Sequence, residues 1–366
     1  MRNHPPIVGF FQRVYSWFMD EIVVVGGGVA GLLAGNFLWR IGQDFSGSER
    51  SESLGSDLIA GHHRCYDGSC LSFWAANEVS LDWKCIEEKA SELKKGKLGD
   101  VVHDDFSEGQ SYFLKTPFYV PAEGYGDAVT QLVQRVGKHF AFKKAVHEID
   151  LERHVLSFMD GSEMGFGKLI WSQSLDSLFK ALKGIESDAI LKRKKAQQEP
   201  EGGLVLDMQF REPFVDKANT IVMPFRFKED VYRALGNRDS FERGEVRFTW
   251  TIFLGEALLE NREEVAKCVR TFKREFFKQF PTAAKSLITE RIVFLPLIAS
   301  GTSVEAKSLE LFPGIFYLGS QVRVKNSDPS LQNLDLLAEN CRKLALEAGF
   351  AVTLAAEAPL EMQEAR

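Results

Sequence analysis

The sequence has no run of apolar residues long enough to span a bilayer, so it predicts no transmembrane segment and a cytoplasmic protein. Residues 1–18 are apolar in two short stretches, but Arg13 interrupts them and no small-residue cleavage site follows. Met19-Asp20-Glu21-Ile22 is the natural start of the first strand, and residues 1–18 are expected to be dispensable. Positive charge is not in surplus. Lys and Arg number 45 against 51 Asp and Glu, a net charge of −6, which excludes a nucleic-acid binder. The run Lys192-Arg193-Lys194-Lys195 reads as a solvated helix face. Cysteine is scarce, with five scattered residues (Cys65, Cys70, Cys85, Cys268, Cys341), which excludes a disulfide framework and suits a reducing compartment. His62 and His63 precede Cys65 and Cys70, but nothing completes a metal-ligand set at a recognisable spacing, so no metal is expected there. No catalytic triad, internal repeat or low-complexity linker is visible.

What is present is ordinary globular composition, 45% hydrophobic and 26% charged over 366 residues, enough for two domains. The 29 Phe are the unusual count, and most belong in a core. The informative stretch is Glu21-Ile22-Val23-Val24-Val25-Gly26-Gly27-Gly28-Val29-Ala30-Gly31. It is a buried-strand run ending in Gly26-x-Gly28-x-x-Gly31, followed by a helix over Leu32–Ile41 that stops at Gly42. Strand, glycine turn and helix open a dinucleotide-binding unit. Gly26 permits the tight turn, Gly28 lets backbone approach a pyrophosphate, and Gly31 lets helix pack on strand. The helix N-terminus, with Val29 and Ala30, offers amides and a positive dipole end to the phosphates. Glu49 lies where the second strand ends and an acid holds a ribose hydroxyl. That strand, within Gln43–Glu49, is unusually polar for a central parallel strand. The competing reading is a glycine turn in an unrelated α/β protein.

Further along, residues 82–95 are predicted helical. Asp127 is predicted to cap a helix reaching about Val136, and residues 175–198 a charged helix. Phe140–Phe142, Ala145–Ile149, Val155–Phe158 and Lys168–Trp171 read as strands. Leu204, Leu206, Met208 and Phe210 alternate, as do Val246, Phe248, Trp250, Ile252 and Leu254, the pattern of half-buried strands. Asn261 with Glu264 starts a helix whose face is Val265, Val269, Phe272 and Phe276. Ile292–Leu297 and Pro313–Ser320 read as strand segments. Asp328-Pro329 is the predicted start of a last helix with Leu331, Leu334, Leu337, Cys341 and Leu344 inward.

Taken together the chain resembles FAD-dependent amine oxidases and their relatives, including protoporphyrinogen oxidases, phytoene desaturases and UDP-galactopyranose mutases. Four blocks carry the likeness. They are Gly26–Gly55; Pro121–Leu132; Val146-His147-Glu148-Ile149 with Asp160-Gly161 and Leu169-Ile170-Trp171; and Pro313–Ser320 with the helix beyond. Glu49 and Gly55 are similar to the family's Glu-x-x-x-x-x-Gly-Gly, with Ser56 replacing the second glycine. The resemblance implies an α/β protein, a Rossmann-type FAD-binding domain plus an inserted α+β substrate domain with an antiparallel sheet. The FAD domain is expected over 19–75, 119–185 and 310–350, the substrate domain over 76–118 and 186–309, and tails over 1–18 and 351–366. Non-covalent FAD is the implied cofactor, since no cysteine stands near Gly319 for a covalent link. The implied cofactor-binding residues are Gly26, Gly28, Val29, Ala30, Gly31, Glu49, Arg50, Gly55, Val146, Gly319 and Ser320, with the Val146 backbone at the adenine. The implied activity is hydride transfer from a small amine or activated C–H substrate to flavin, with an electron acceptor to follow. Departures lie at the ring end, where Asp57 stands in place of an arginine, Ser320 in place of an acid, and Leu331–Asp335 lacks small residues. They leave two alternatives. One is a non-redox flavoenzyme resembling the mutases, with Arg226, Arg233, Arg243 and Arg247 as candidate diphosphate partners. The other is a non-catalytic flavin or nucleotide binder.

Overall fold

The computed structural model describes residues 21–55, 64–66, 68–87, 89–94, 97–101, 114–122, 124–183, 201–215, 218, 220–240, 245–255, 258–259, 261–295, 304–319, 322–325, 327 and 333–348. In chain order the first part comprises β1 (Ile22–Val25), α1 (Val29–Arg40), β2 (Phe45–Ser48), α2 (Gly68–Ala76), β3 (Trp83–Ile86), β4 (Ser91–Lys94), β5 (Lys97–Asp100), β6 (Phe118–Pro121), α3 (Gly126–Val136) and β7 (Phe140–Ala141). Next come β8 (Val146–Asp150), β9 (Val155–Phe158), β10 (Glu163–Gly165), β11 (Lys168–Trp171), α4 (Leu175–Ala181), β12 (Glu201–Phe210), β13 (Thr220–Phe227), β14 (Asp230–Ser240) and β15 (Val246–Gly255). The remainder is α5 (Arg262–Gln279), α6 (Pro281–Ser286), β16 (Leu287–Leu295), β17 (Val304–Ala306), β18 (Glu310–Phe312), β19 (Ile315–Tyr317), β20 (Val322–Val324) and α7 (Asn333–Glu347).

Two large sheets organise the chain. The six-stranded sheet runs β18-β19-β11-β1-β2-β7. Its pairings β1–β11, β1–β2, β11–β19 and β2–β7 are all parallel, and β18 is an antiparallel edge. Numbered by appearance, the parallel strands lie 3-2-1-4-5, the order of a doubly wound dinucleotide fold, with the direction of winding reversing beside β1. β1 earns its central place by composition: Val23, Val24 and Val25 are fully buried, as a strand covered on both faces requires. The polarity of β2 has a packing reason. A side chain at Gly47 would meet the Phe140 ring at 2.5 Å, so Phe140 supplies the apolar cover that this position cannot.

The seven-stranded sheet runs β16-β12-β15-β14-β13-β4-β5 and is antiparallel except at β13–β4. The predicted half-burial of β12 and β15 needs correction. Val205 and Thr251 are as buried as Leu204 and Ile252, because both faces are covered. One face packs on α5 through Phe248, Trp250, Phe272 and Phe276, which gathers much of the phenylalanine surplus. Trp250 fits because Gly236 opposite it has no Cβ; one there would lie 2.6 Å from the indole. The other face carries Leu114, Val222, Leu235 and Phe253. α5 starts as predicted, with the Asn261 side chain accepting the Glu264 amide at 3.2 Å.

Three expectations differ. Residues 82–95 are not a helix but β3 and β4, because β3 finds β6 and β4 finds β13 and β5, and tertiary pairing overrides local propensity. Asp127 is not a cap; it lies in the first turn of α3, behind Tyr125 at the N-cap position. The charged helix of 175–198 ends at Ala181 as α4, and residues 184–200 are outside the described set. Residues 1–18, Arg243, Ser320 and Asp328-Pro329 are likewise outside it.

Candidate dinucleotide site

The carboxyl ends of β1, β2, β11 and β19 share one edge of the parallel sheet, where ligands bind in folds of this order. β1 leaves that edge through Gly26, whose φ of +104° lies in the region that favours glycine. The Gly26 amide donates to the Ser48 carbonyl at 2.8 Å, which holds the turn over the end of β2. α1 then begins at Val29 with Gly28 as N-cap. A Cβ on Gly31 would fall 1.8 Å from the Gly26 carbonyl oxygen, so only glycine lets α1 sit this close to the turn. The positive end of α1 therefore lies at the sheet edge. Ser172, just past β11, donates its hydroxyl toward the Val25 carbonyl at 2.8 Å and fixes the same turn from the other side.

Glu49 is 8% exposed and stands at a crossing of four segments. Its Oε2 accepts the Gly27 amide at 2.6 Å and its Oε1 accepts the Ser51 amide at 2.7 Å. Its own amide donates to Ala141, and its carbonyl accepts Lys144. Two residues beyond Lys144, β8 opens at Val146, with a bulge between Val146 and Glu148. The structure thus brings together the glycine turn, Glu49 and the approach to Val146. Arg50 beside Glu49 is exposed. Gly55 closes the turn from above: its amide donates to the Gly27 carbonyl at 2.7 Å, its φ is +68°, and a side chain there would meet Val129 at 2.7 Å.

On the far side of β1, β19 ends at Tyr317 and the chain runs on through Leu318 to Gly319. The Leu318 amide continues the ladder to the Trp171 carbonyl at 2.8 Å. Asn340 of α7, fully buried, donates to the carbonyls of Gly319 and Val322, each at 2.8 Å. Asn340 was not singled out from the sequence; a polar residue within the last apolar helix was its only signal.

Two of the candidate arginines, Arg226 and Arg247, have partners away from this edge. Arg247 is bound at both ends of its guanidinium to Asp207, at 2.6 and 2.7 Å. Arg226 lines an open cleft of about 940 Å³ formed with Glu92, Phe225, Lys228 and Arg274, none of which belongs to the glycine turn. Phe248 and Trp250 are core residues with no exposure, not cavity wall.

A second polar cluster joins the small β3–β6 sheet to the seven-stranded sheet, and of its members the sequence pointed only to Cys65 and Cys70. Arg64 lies over the Phe118 ring at 3.9 Å and reaches across to Thr220 and Asn237 on the seven-stranded sheet. Beside it Cys65 and Cys70 are buried with their sulfurs 2.6 Å apart, and with Asp335 of α7 they form a close group. Burial pushes the Tyr66 phenol in this cluster up to about 12.

No protein-family model matches the chain. No curated protein matches it by sequence. Solved structures do resemble it. A protein from Pyrococcus furiosus aligns with a TM-score of 0.64 at 14% identity, over 91% of this chain and 99% of that one. An oxidoreductase from Methanosarcina mazei gives 0.64 at 13% identity, over 89% and 100%. A reduced UDP-galactopyranose mutase gives 0.59 at 12% identity, over 93% and 98%. At these identities the likeness is one of fold. Among the described residues no helix is long and apolar enough to cross a membrane.

Proposed function

We propose that this chain is an FAD-dependent oxidoreductase that takes hydride from a small organic substrate and passes the electrons to an acceptor. The observation that carries the reading is the glycine turn at the carboxyl edge of a 3-2-1-4-5 parallel sheet, with Glu49 tied to the Gly27 amide. The residues present fit the dinucleotide end of the cofactor. Gly26, Gly28, Val29, Ala30 and Gly31 would hold the pyrophosphate, and Gly31 cannot carry a side chain for reasons of packing alone. Glu49 keeps acceptor capacity beyond its two backbone amides, which suits a ribose hydroxyl. Arg50, Gly55 and Val146 border the adenosine end, and Gly319 and Ser320 the ribityl or phosphate end. Bound FAD supplies the redox chemistry, while the chain contributes position and electrostatics. The division into an FAD domain and an inserted substrate domain follows the two sheets in this reading.

The test is the cofactor itself. The purified chain should hold FAD, and Gly28→Val should lose it because the new side chain occupies the pyrophosphate path. A second reading, a non-redox flavoenzyme, is favoured by the fold likeness to the reduced mutase. Turnover with bleaching of the flavin by an amine supports the oxidoreductase, and activity that requires prior reduction of the flavin supports the second reading.

A further inference from the structure

Outside the dinucleotide site, the densest group of reactive side chains is that around Cys65 and Cys70. The fold builds it from three separate segments. Cys65 is pinned in a bridge with Tyr119, each residue's amide donating to the other's carbonyl, at 3.0 and 2.7 Å. Cys70 lies in the first turn of α2. Asp335 comes from the first turn of α7. Its carboxylate accepts the Tyr66 amide at 3.2 Å, and an oxygen of it lies within 4.8 Å of both sulfurs. The other titratable groups facing the pair are Arg64, Tyr66 and Tyr125, whose hydroxyl is 4.0 Å from the Cys65 sulfur.

The Cys65 and Cys70 sulfurs face each other in direct contact, so a bond between them needs little movement of either segment. We infer that Cys65 and Cys70 are a reversible oxidation site, a dithiol that small two-electron oxidants such as hydrogen peroxide convert to a disulfide. The segment enclosed is short, where the gain in stability from chain entropy is small, which suits a switchable bond better than a structural staple.

The step balances. Solvent hydroxide takes the Cys70 thiol proton as water, and the Cys70 sulfur attacks one peroxide oxygen. The O–O bond breaks, and the departing hydroxide replaces the one consumed. Cys70 is then a sulfenic acid. The Cys65 sulfur displaces its hydroxyl, forming the S–S bond, and the Cys65 proton leaves with that hydroxyl as a second water. Two sulfurs are oxidised and two peroxide oxygens reduced, and an external dithiol reverses the result by exchange. The hydrogen bond from its partner, and then burial, hold the Cys70 thiol well above its ordinary range, so oxidation should accelerate as pH rises. The site lies between Arg64, which reaches the seven-stranded sheet, and α7, whose Asn340 holds Gly319. Its oxidation state is therefore placed to act on both.

The test uses the full-length protein, fully reduced and then exposed to hydrogen peroxide. It is denatured with an alkylating agent present and mapped by mass. The expected result is loss of two of the five alkylation sites, a cross-linked peptide joining Cys65 to Cys70, and full recovery with dithiothreitol. Cys268 and Cys341 should stay alkylated. Cys65→Ser should leave Cys70 as a sulfenic acid that dimedone captures. The wild-type map decides the matter even if that variant does not fold. Retention of both thiols after peroxide, or stoichiometric zinc released by a chelator from the reduced protein, overturns the inference. Neither outcome depends on whether the chain binds FAD.

Discussion

At the scale of single residues, the argument rests on positions where a side chain has no room. Gly31→Ala should cost about 2 kcal/mol or more, since its Cβ would stand 1.8 Å from a backbone oxygen that cannot yield without moving α1 off β1. Chemical denaturation with an unchanged midpoint would remove this claim. Glu49→Ala should cost about 1.5–3 kcal/mol of stability even without ligand, because it leaves the Gly27 and Ser51 amides without their charged acceptor. The same substitution should also weaken FAD binding. If binding weakens while stability holds, Glu49 contacts ligand without holding the turn. The glycine spacing and the acid were legible in the sequence because each is a local requirement: a positive φ, an absent Cβ, an acceptor at a strand end. Asn340 and the Arg64–Cys65–Cys70–Asp335 group were not, because their partners lie far away in the chain and no fixed spacing announces them.

At the scale of elements, periodicity served where an element packs by its own pattern and failed where a neighbour decides. α5 was legible from its cap and its apolar face, and Val265, Val269, Phe272 and Phe276 are all buried. Phe276→Ala should cost about 3–5 kcal/mol, since its ring stacks within a cluster of Phe210, Phe272, Phe280 and Trp250. An unfolding midpoint close to that of wild type would show that α5 does not anchor the sheet. Residues 82–95 misled because β3 owes its form to β6, more than thirty residues away, and β4 to β13 as well as to the neighbouring β5. The turn between β9 and β10 carries a pH signature. Lys144, whose amide reaches Glu49, also pairs with Asp160 at 2.5 Å, and this hydrogen bond with Ser162's holds the Asp160 carboxyl well below its ordinary range. A depressed folded-state value stabilises the protein above the unfolded carboxyl's titration, and that contribution disappears as pH falls through the folded one. Wild type should therefore be more stable than Asp160→Asn at neutral pH, and the gap should close in strong acid. A gap independent of pH would assign the difference to packing.

At the scale of the whole molecule, the chain builds two large sheets of different character, and the carboxyl edge of the parallel one carries the candidate site. The central claim is that this edge holds FAD. The most direct measurement is the flavin content of the purified chain, read from its visible spectrum and from the mass of the cofactor released on denaturation, for wild type and Gly28→Val side by side. The account predicts FAD in near-equal amount to wild-type protein, and a folded, colourless variant. A wild-type protein that stays colourless after incubation with FAD, or a Gly28→Val protein that keeps its full flavin, would contradict it.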